Sequence, residues 1–96
     1  MRQKYELRLK PMDSNNPDNM RIYEMLQKSC EGLNSYLADF FETVAILEEK
    51  KFKSGSDSNE IDESIEFVLT KIDEVTLSMK CIVNDMPSLI ELVEIQ

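Results

Sequence analysis

Two stretches of the chain carry apolar side chains at alternating steps of four and three. In the first, the series is Leu26, Cys30, Leu33, Leu37, Phe40, Val44 and Leu47. In the second it is Ile61, Ile65, Val68, Ile72, Val75, Met79 and Ile82, with Met86 next in phase. This spacing puts each series on one stripe of an α-helix, with the heptad period of helices that pack along a shared seam. Phe41, Ile46, Phe67, Leu69, Leu77 and Val83 add apolar surface beside the two stripes.

The punctuation between them sets the boundaries. Asn16, Pro17 and Asp18 read as a helix start. The Asn side chain accepts an orphan amide, proline lacks the amide that would be orphaned, and the acid meets the positive helix end. A first helix is predicted over about residues 17–52, with Lys50, Lys51 and Lys53 at its negative end. Residues 53–59, with three serines, Gly55, Asp57 and Asn59, are predicted as a loop. A second helix is predicted over about 60–85, because Pro87 turns Met86 away from helical geometry. A short third helix is predicted over about 87–95, with Leu89 and Leu92 joining the expected interface. Gly32 weakens the first helix by about 1 kcal/mol relative to alanine, or serves a close helix approach.

Residues 1–12 alternate with period two, Tyr5, Leu7 and Leu9 against Glu6, Arg8 and Lys10. That is an extended pattern. In an otherwise helical chain it has no strand to pair with, so it is expected as a mobile arm or as a segment that orders on a partner. The domain division is therefore an arm and loop over 1–16 and a helical domain over 17–96.

The expected fold class is all-α: an antiparallel hairpin of two long helices plus the short C-terminal one. The surplus of apolar positions argues that the hairpin is half of a four-helix bundle. Burying one large apolar side chain is worth about 1.5–3 kcal/mol. Leaving a dozen exposed would forfeit much of a net stability of about 5–15 kcal/mol. The expected interface comprises the two stripes except Cys30, with Phe41, Met86, Leu89 and Leu92.

Charge narrows the partners. The chain has a formal charge of −8, unevenly placed. Residues 1–12 carry four basic groups against Glu6, or +3, leaving seven basic and eighteen acidic groups, or −11, elsewhere. An acidic body excludes a direct nucleic-acid phosphate ligand, which needs Lys and Arg to displace counterions. It disfavours an anionic membrane in the same way. A different, less acidic hairpin is the expected partner, with a homodimer as the alternative. The N-terminus shows no apolar leader and no apolar run approaches the ~20 residues of a membrane span, so an intracellular protein is expected.

The chemistry-bearing residue types are sparse. There is no histidine, hence no imidazole base and no Glu-x-x-His metal pattern. Asp57 to Glu66 resembles a calcium loop for three residues, then places Ile61 where an oxygen ligand belongs. Neither catalysis, nor a metal, nor a cofactor is expected. Cys30 and Cys81 fall level across the hairpin, but Cys81 lies off the stripe. They are expected as reduced thiols packed as small hydrophobes.

The closing stretch from Lys80 to Gln96, and within it the turn Asn84, Asp85, Met86, Pro87, Ser88, resembles the end of the helical region in the subunit 22 family of the Mediator complex, the Surfeit-5 family. The order of parts over roughly residues 20–96 is similar too. The resemblance implies a helical Mediator head subunit, nuclear, paired with subunit 11 in a four-helix bundle, with the oily ending as a lid or docking stub. The alternatives are a subunit of another coiled-coil assembly, such as a kinetochore or tethering complex, and an acidic inhibitor that mimics nucleic acid.

Overall fold

The computed structural model describes residues 2–13, 15–54 and 59–95. Four elements follow in order: strand β1 (Lys4–Leu9), helix α1 (Pro17–Ser54), helix α2 (Asn59–Asp85) and strand β2 (Ile90–Ile95). The two helices lie antiparallel as a hairpin, and the molecule is a rod of 61 × 19 × 19 Å. Most of the expected loop, residues 55–58, lies outside the described residues.

The helix starts and ends follow local chemistry. The Asn16 side chain accepts the Asp18 amide at 2.9 Å, and the Asn16 carbonyl accepts the Met20 amide at 3.2 Å. At the far end the Met86 amide donates to the Ile82 carbonyl, and the Met86 carbonyl accepts both the Leu89 and the Ile90 amides. Pro87 has no amide to continue the helix, so the chain turns there. A salt bridge from Lys51 to Asp62, 2.6 Å, crosses the hairpin near its closed end and sets which positions lie level.

Two expectations for the termini are corrected. Residues 90–95 are a strand rather than part of a short helix, and the N-terminal arm is not unpaired. β1 and β2 form an antiparallel ribbon with Leu7 opposite Leu92, Leu9 opposite Ile90 and Lys4 opposite Ile95. The physical reason lies in length and side-chain shape. A helix of about nine residues is marginal in water. Ile90, Val93 and Ile95 are β-branched, a type that fits a pleated surface. An antiparallel hairpin also brings both chain ends to one side, so a strand partner is available after all. The charges agree: β1 carries Lys4 and Arg8, β2 carries Glu91 and Glu94, and Arg8 sits opposite Glu91.

The ribbon closes the core. The buried set is Leu7, Cys30, Leu37, Val44, Ile72, Met79 and Ile90, drawn from all four elements. Leu37, Ile72, Met79 and Ile90 are each less than 2 % exposed. The oily ending is therefore a lid on the chain's own hairpin.

Candidate interaction face

The ribbon covers one side of the hairpin only, and helical spacing identifies that side. Asn34 and Phe41, three before and four after Leu37, touch β1: Asn34 bonds Leu7, and the Lys4 ammonium lies 5.2 Å from the centre of the Phe41 ring. On α2, Leu69, Thr76 and Val83 hold the equivalent positions relative to Ile72. The opposite, back side is formed by Leu33, Phe40 and Leu47 on α1 and by Val68, Val75 and Ile82 on α2. All six are only half-buried. Tyr36 and Phe67 stand at its margins, 55 % and 64 % exposed, and Tyr36 meets Phe40 edge-on with ring centres 4.7 Å apart.

Three hydroxyls of this back face are bonded within their own helices. The hydroxyls of Thr43, Ser64 and Ser78 each donate to the carbonyl four residues earlier, at 2.7, 2.9 and 3.1 Å. A hydroxyl already bonded to its own helix loses little when covered. The charged groups of the face are confined to its edges: Asp39 and Lys50 on α1, and Glu60, Lys71, Glu74 and Asp85 on α2. Lys71 pairs with Glu74 at 3.1 Å and lies 5.3 Å from the centre of the Phe67 ring.

The ribbon side is finished differently. Asn34 receives the Leu7 amide on Oδ1 at 2.8 Å and donates Nδ2 to the Leu7 carbonyl at 3.0 Å. Both Leu7 groups therefore point away from β2, so Leu7 and Leu92 form a close pair without mutual backbone bonds. Arg2 reaches Asp73 with two bonds of 2.9 and 3.1 Å. This pair holds the Asp73 carboxyl below the usual carboxylate range and the Arg2 guanidinium above its ordinary value. Lys80 lies 5.4 Å from the centre of the Tyr5 ring. Lys10 ties the base of the arm to the tail turn through the Pro87 carbonyl at 2.6 Å. At the Arg2 end of the ribbon an open cleft of about 660 Å³ has an apolar floor of Phe41, Val44 and Leu69.

The structure thus divides the expected interface. Leu37, Val44, Ile72 and Met79 belong to the chain's own core. Phe41, Met86, Leu89 and Leu92 pack against that core with the ribbon, as do Leu69 and Val83. Ile65 lies partly buried beside it, and Leu26 packs on it near the ribbon's other end. Leu33, Phe40, Leu47, Val68, Val75 and Ile82 share the back side, with Ile61 half-buried at the closed end. Ile46, Phe67 and Leu77 remain exposed. Cys30 is buried, and burial pushes its thiol pKa up, with the Glu31 charge adding to the effect. Cys81 is exposed, which corrects the expectation of two packed thiols. A Cβ added at Gly32 meets nothing within 4 Å, so no close approach within the chain requires that glycine. Sequence reasoning missed Asn34, Leu7 and Ile90. The available signal was a pair of apolar-rich terminal segments of opposite charge.

The fold and this face define a class: a helical hairpin with a terminal β-ribbon on one side and a partly buried apolar stripe on the other. Comparison of the chain with protein families, characterised proteins and solved structures gives no match. Among the described residues, no group of three Cys, Asp or Glu side chains is placed to hold a metal ion. Among the same described residues, no helix is long and apolar enough to cross a membrane.

Proposed function

We propose that this chain is a non-catalytic interaction subunit whose back face receives a second helical hairpin, completing a four-helix bundle. The observation that carries the proposal is the stripe of partly buried Leu33, Phe40, Leu47, Val68, Val75 and Ile82, extended outward by the exposed Tyr36 and Phe67, with three hydroxyls internally bonded and charges toward the rim. Apolar surface of this kind, rimmed by polar groups, marks a site of protein association. The ribbon accounts for the other half of the apolar surplus, so the partner needs to cover one side only.

Phe67→Glu tests the reading. The side chain is exposed, so the variant keeps its fold, and the new charge sits where the partner packs. The proposal requires loss of the bound partner with the circular dichroism spectrum unchanged. Retention of the partner at unchanged affinity refutes it.

The narrower reading, a Mediator head subunit paired with subunit 11 in the nucleus, rests on the resemblance of the turn Asn84 to Ser88 in sequence, and the strand Ile90–Ile95 stands where that resemblance implies a short helix. It requires head subunits to co-purify with the chain. A nucleic-acid mimic would instead present a continuous acidic band. In this molecule Asp73 and Asp62 are engaged by Arg2 and Lys51, which breaks such a band.

A further inference from the structure

We propose that the outer edge of β2 is a second interaction site, which takes an extended, basic segment of another protein as a third strand. The site lies on the ribbon and does not depend on the back face.

The register leaves this edge open. The Lys10 amide donates to the Leu89 carbonyl, so the pairs that exchange backbone bonds are Arg8 with Glu91, Glu6 with Val93 and Lys4 with Ile95. The intervening residues of β2, Ile90, Leu92 and Glu94, turn their amides and carbonyls away from β1. The Ile90 amide is taken by the Met86 carbonyl. Among the described residues nothing bonds the amides of Leu92 and Glu94, or the carbonyls of Ile90, Leu92 and Glu94. These groups form a row with the spacing that a neighbouring strand pairs with. β1 offers no equivalent row. Asn34 holds both Leu7 groups in the middle of its outer edge, so a strand arriving there has to break that clasp. A two-stranded ribbon is marginal by itself, and a third strand adds backbone bonds and cross-strand contacts.

Charge decides what kind of segment fits. Glu91 and Glu94 are exposed, and neither forms an ion pair among the described residues. On its inner edge β2 is matched by a strand that sets Arg8 opposite Glu91. A segment with Lys or Arg three positions apart, and β-branched residues between, meets both carboxylates on the outer edge. The net charge of −8 also draws a basic segment toward the chain. A second copy does not supply such a strand. Its β1 edge is held by its own Asn34, and its β2 edge brings Glu91 and Glu94 of both copies along one seam. Charged side chains on an exposed edge guard against that pairing.

The probe is a synthetic peptide, Thr-Lys-Val-Thr-Lys-Val-Thr, capped at both ends and added to the full chain, with amide hydrogen exchange by NMR as the readout. At about ten times its dissociation constant the peptide is expected to slow exchange at Leu92 and Glu94 by ~tenfold. Tyr5 and Leu9, on the outer edge of β1, are expected to stay unchanged. The same peptide N-methylated throughout keeps its charges and loses its backbone donors, and it is expected to slow neither amide. Glu94→Pro deletes one outward amide at an exposed position, where an edge strand tolerates proline. It is expected to weaken the peptide at least ~fivefold beyond Glu94→Gln, which loses the charge alone. Protection of the Leu7 amide reports that the ribbon is intact in each variant; where the proline variant loses it, the methylated peptide on the parent chain decides. Unchanged exchange at Leu92 and Glu94 with about 10 mM peptide overturns the proposal, since even a dissociation constant of about 1 mM is visible there. Equal slowing by the methylated peptide overturns it too, because charge alone then accounts for binding. Slowing without peptide that grows with protein concentration gives the edge to a second copy and overturns the basic segment. Peptide binding is expected to be unchanged in Phe67→Glu, and its loss there overturns a site separate from the back face.

Discussion

Asn34→Ala removes the one side chain that bonds both the amide and the carbonyl of Leu7. The contacts are part-buried, so water replaces them imperfectly. Each hydrogen bond is worth about 1 kcal/mol net, and leaving a buried group unpaired costs about 1–3 kcal/mol. The expected loss is thus about 2 kcal/mol, or roughly 10 °C in Tm for a domain of this size. Urea titration gives the free energy, and amide hydrogen exchange at Leu7 reports the local effect. All variants are compared at one protein concentration, because association shifts apparent stability. Asn34→Asp sharpens the test. Its carboxylate keeps accepting the Leu7 amide but turns an oxygen toward the Leu7 carbonyl, so it is expected to be worse than alanine at neutral pH. The protonated carboxyl restores a donor, so the folded pKa is raised above the ordinary carboxylate value. The variant then gains stability as pH falls through that pKa. Asn34→Ala within about 0.5 kcal/mol of the parent, with Leu7 exchange unchanged, refutes the reasoning, since that is the range of surface substitutions.

Four further outcomes are expected. Truncation after Asp85 removes β2 and uncovers Leu7; two such buried side chains contribute about 3–6 kcal/mol, so thermal melting by circular dichroism falls sharply, and an unchanged melting curve contradicts the lid. The Asp73 carboxyl titrates below the usual carboxylate range by NMR and returns to it in Arg2→Ala. Because its folded pKa is depressed, its stabilising contribution is present above the unfolded pKa and lost as pH falls through the folded one, and added salt weakens it. Gly32→Ala stabilises the chain by up to ~1 kcal/mol in denaturant titration, since the added methyl meets open space and α1 gains helix propensity. A thiol reagent modifies Cys81 rapidly in the native state and Cys30 only on unfolding, which equal rates would disprove.

The two apolar series at steps of four and three were enough to predict both helices, their antiparallel order and ends within a few residues. Helix formation depends on neighbours three and four apart, so the pattern and the punctuation at Asn16 and Pro87 carry it locally. Leu37, Val44, Ile72 and Met79 belong to the two stripes, but the pattern alone gave them no rank over the other seam positions; their burial is set by the packed structure. Which flank of each stripe stays open depended on tertiary structure alone. Leu33 and Asn34 are neighbours in the chain, yet one faces the uncovered side and the other clasps β1. The ribbon made that division, by pairing segments about 80 residues apart that have no partner until the hairpin brings the ends together. Ile90 and Leu92 are compatible with either a short helix or a strand. Only the presence of Leu7 and Leu9 alongside them settles it, because a strand is stabilised by the neighbour it pairs with, and that neighbour is supplied by the fold.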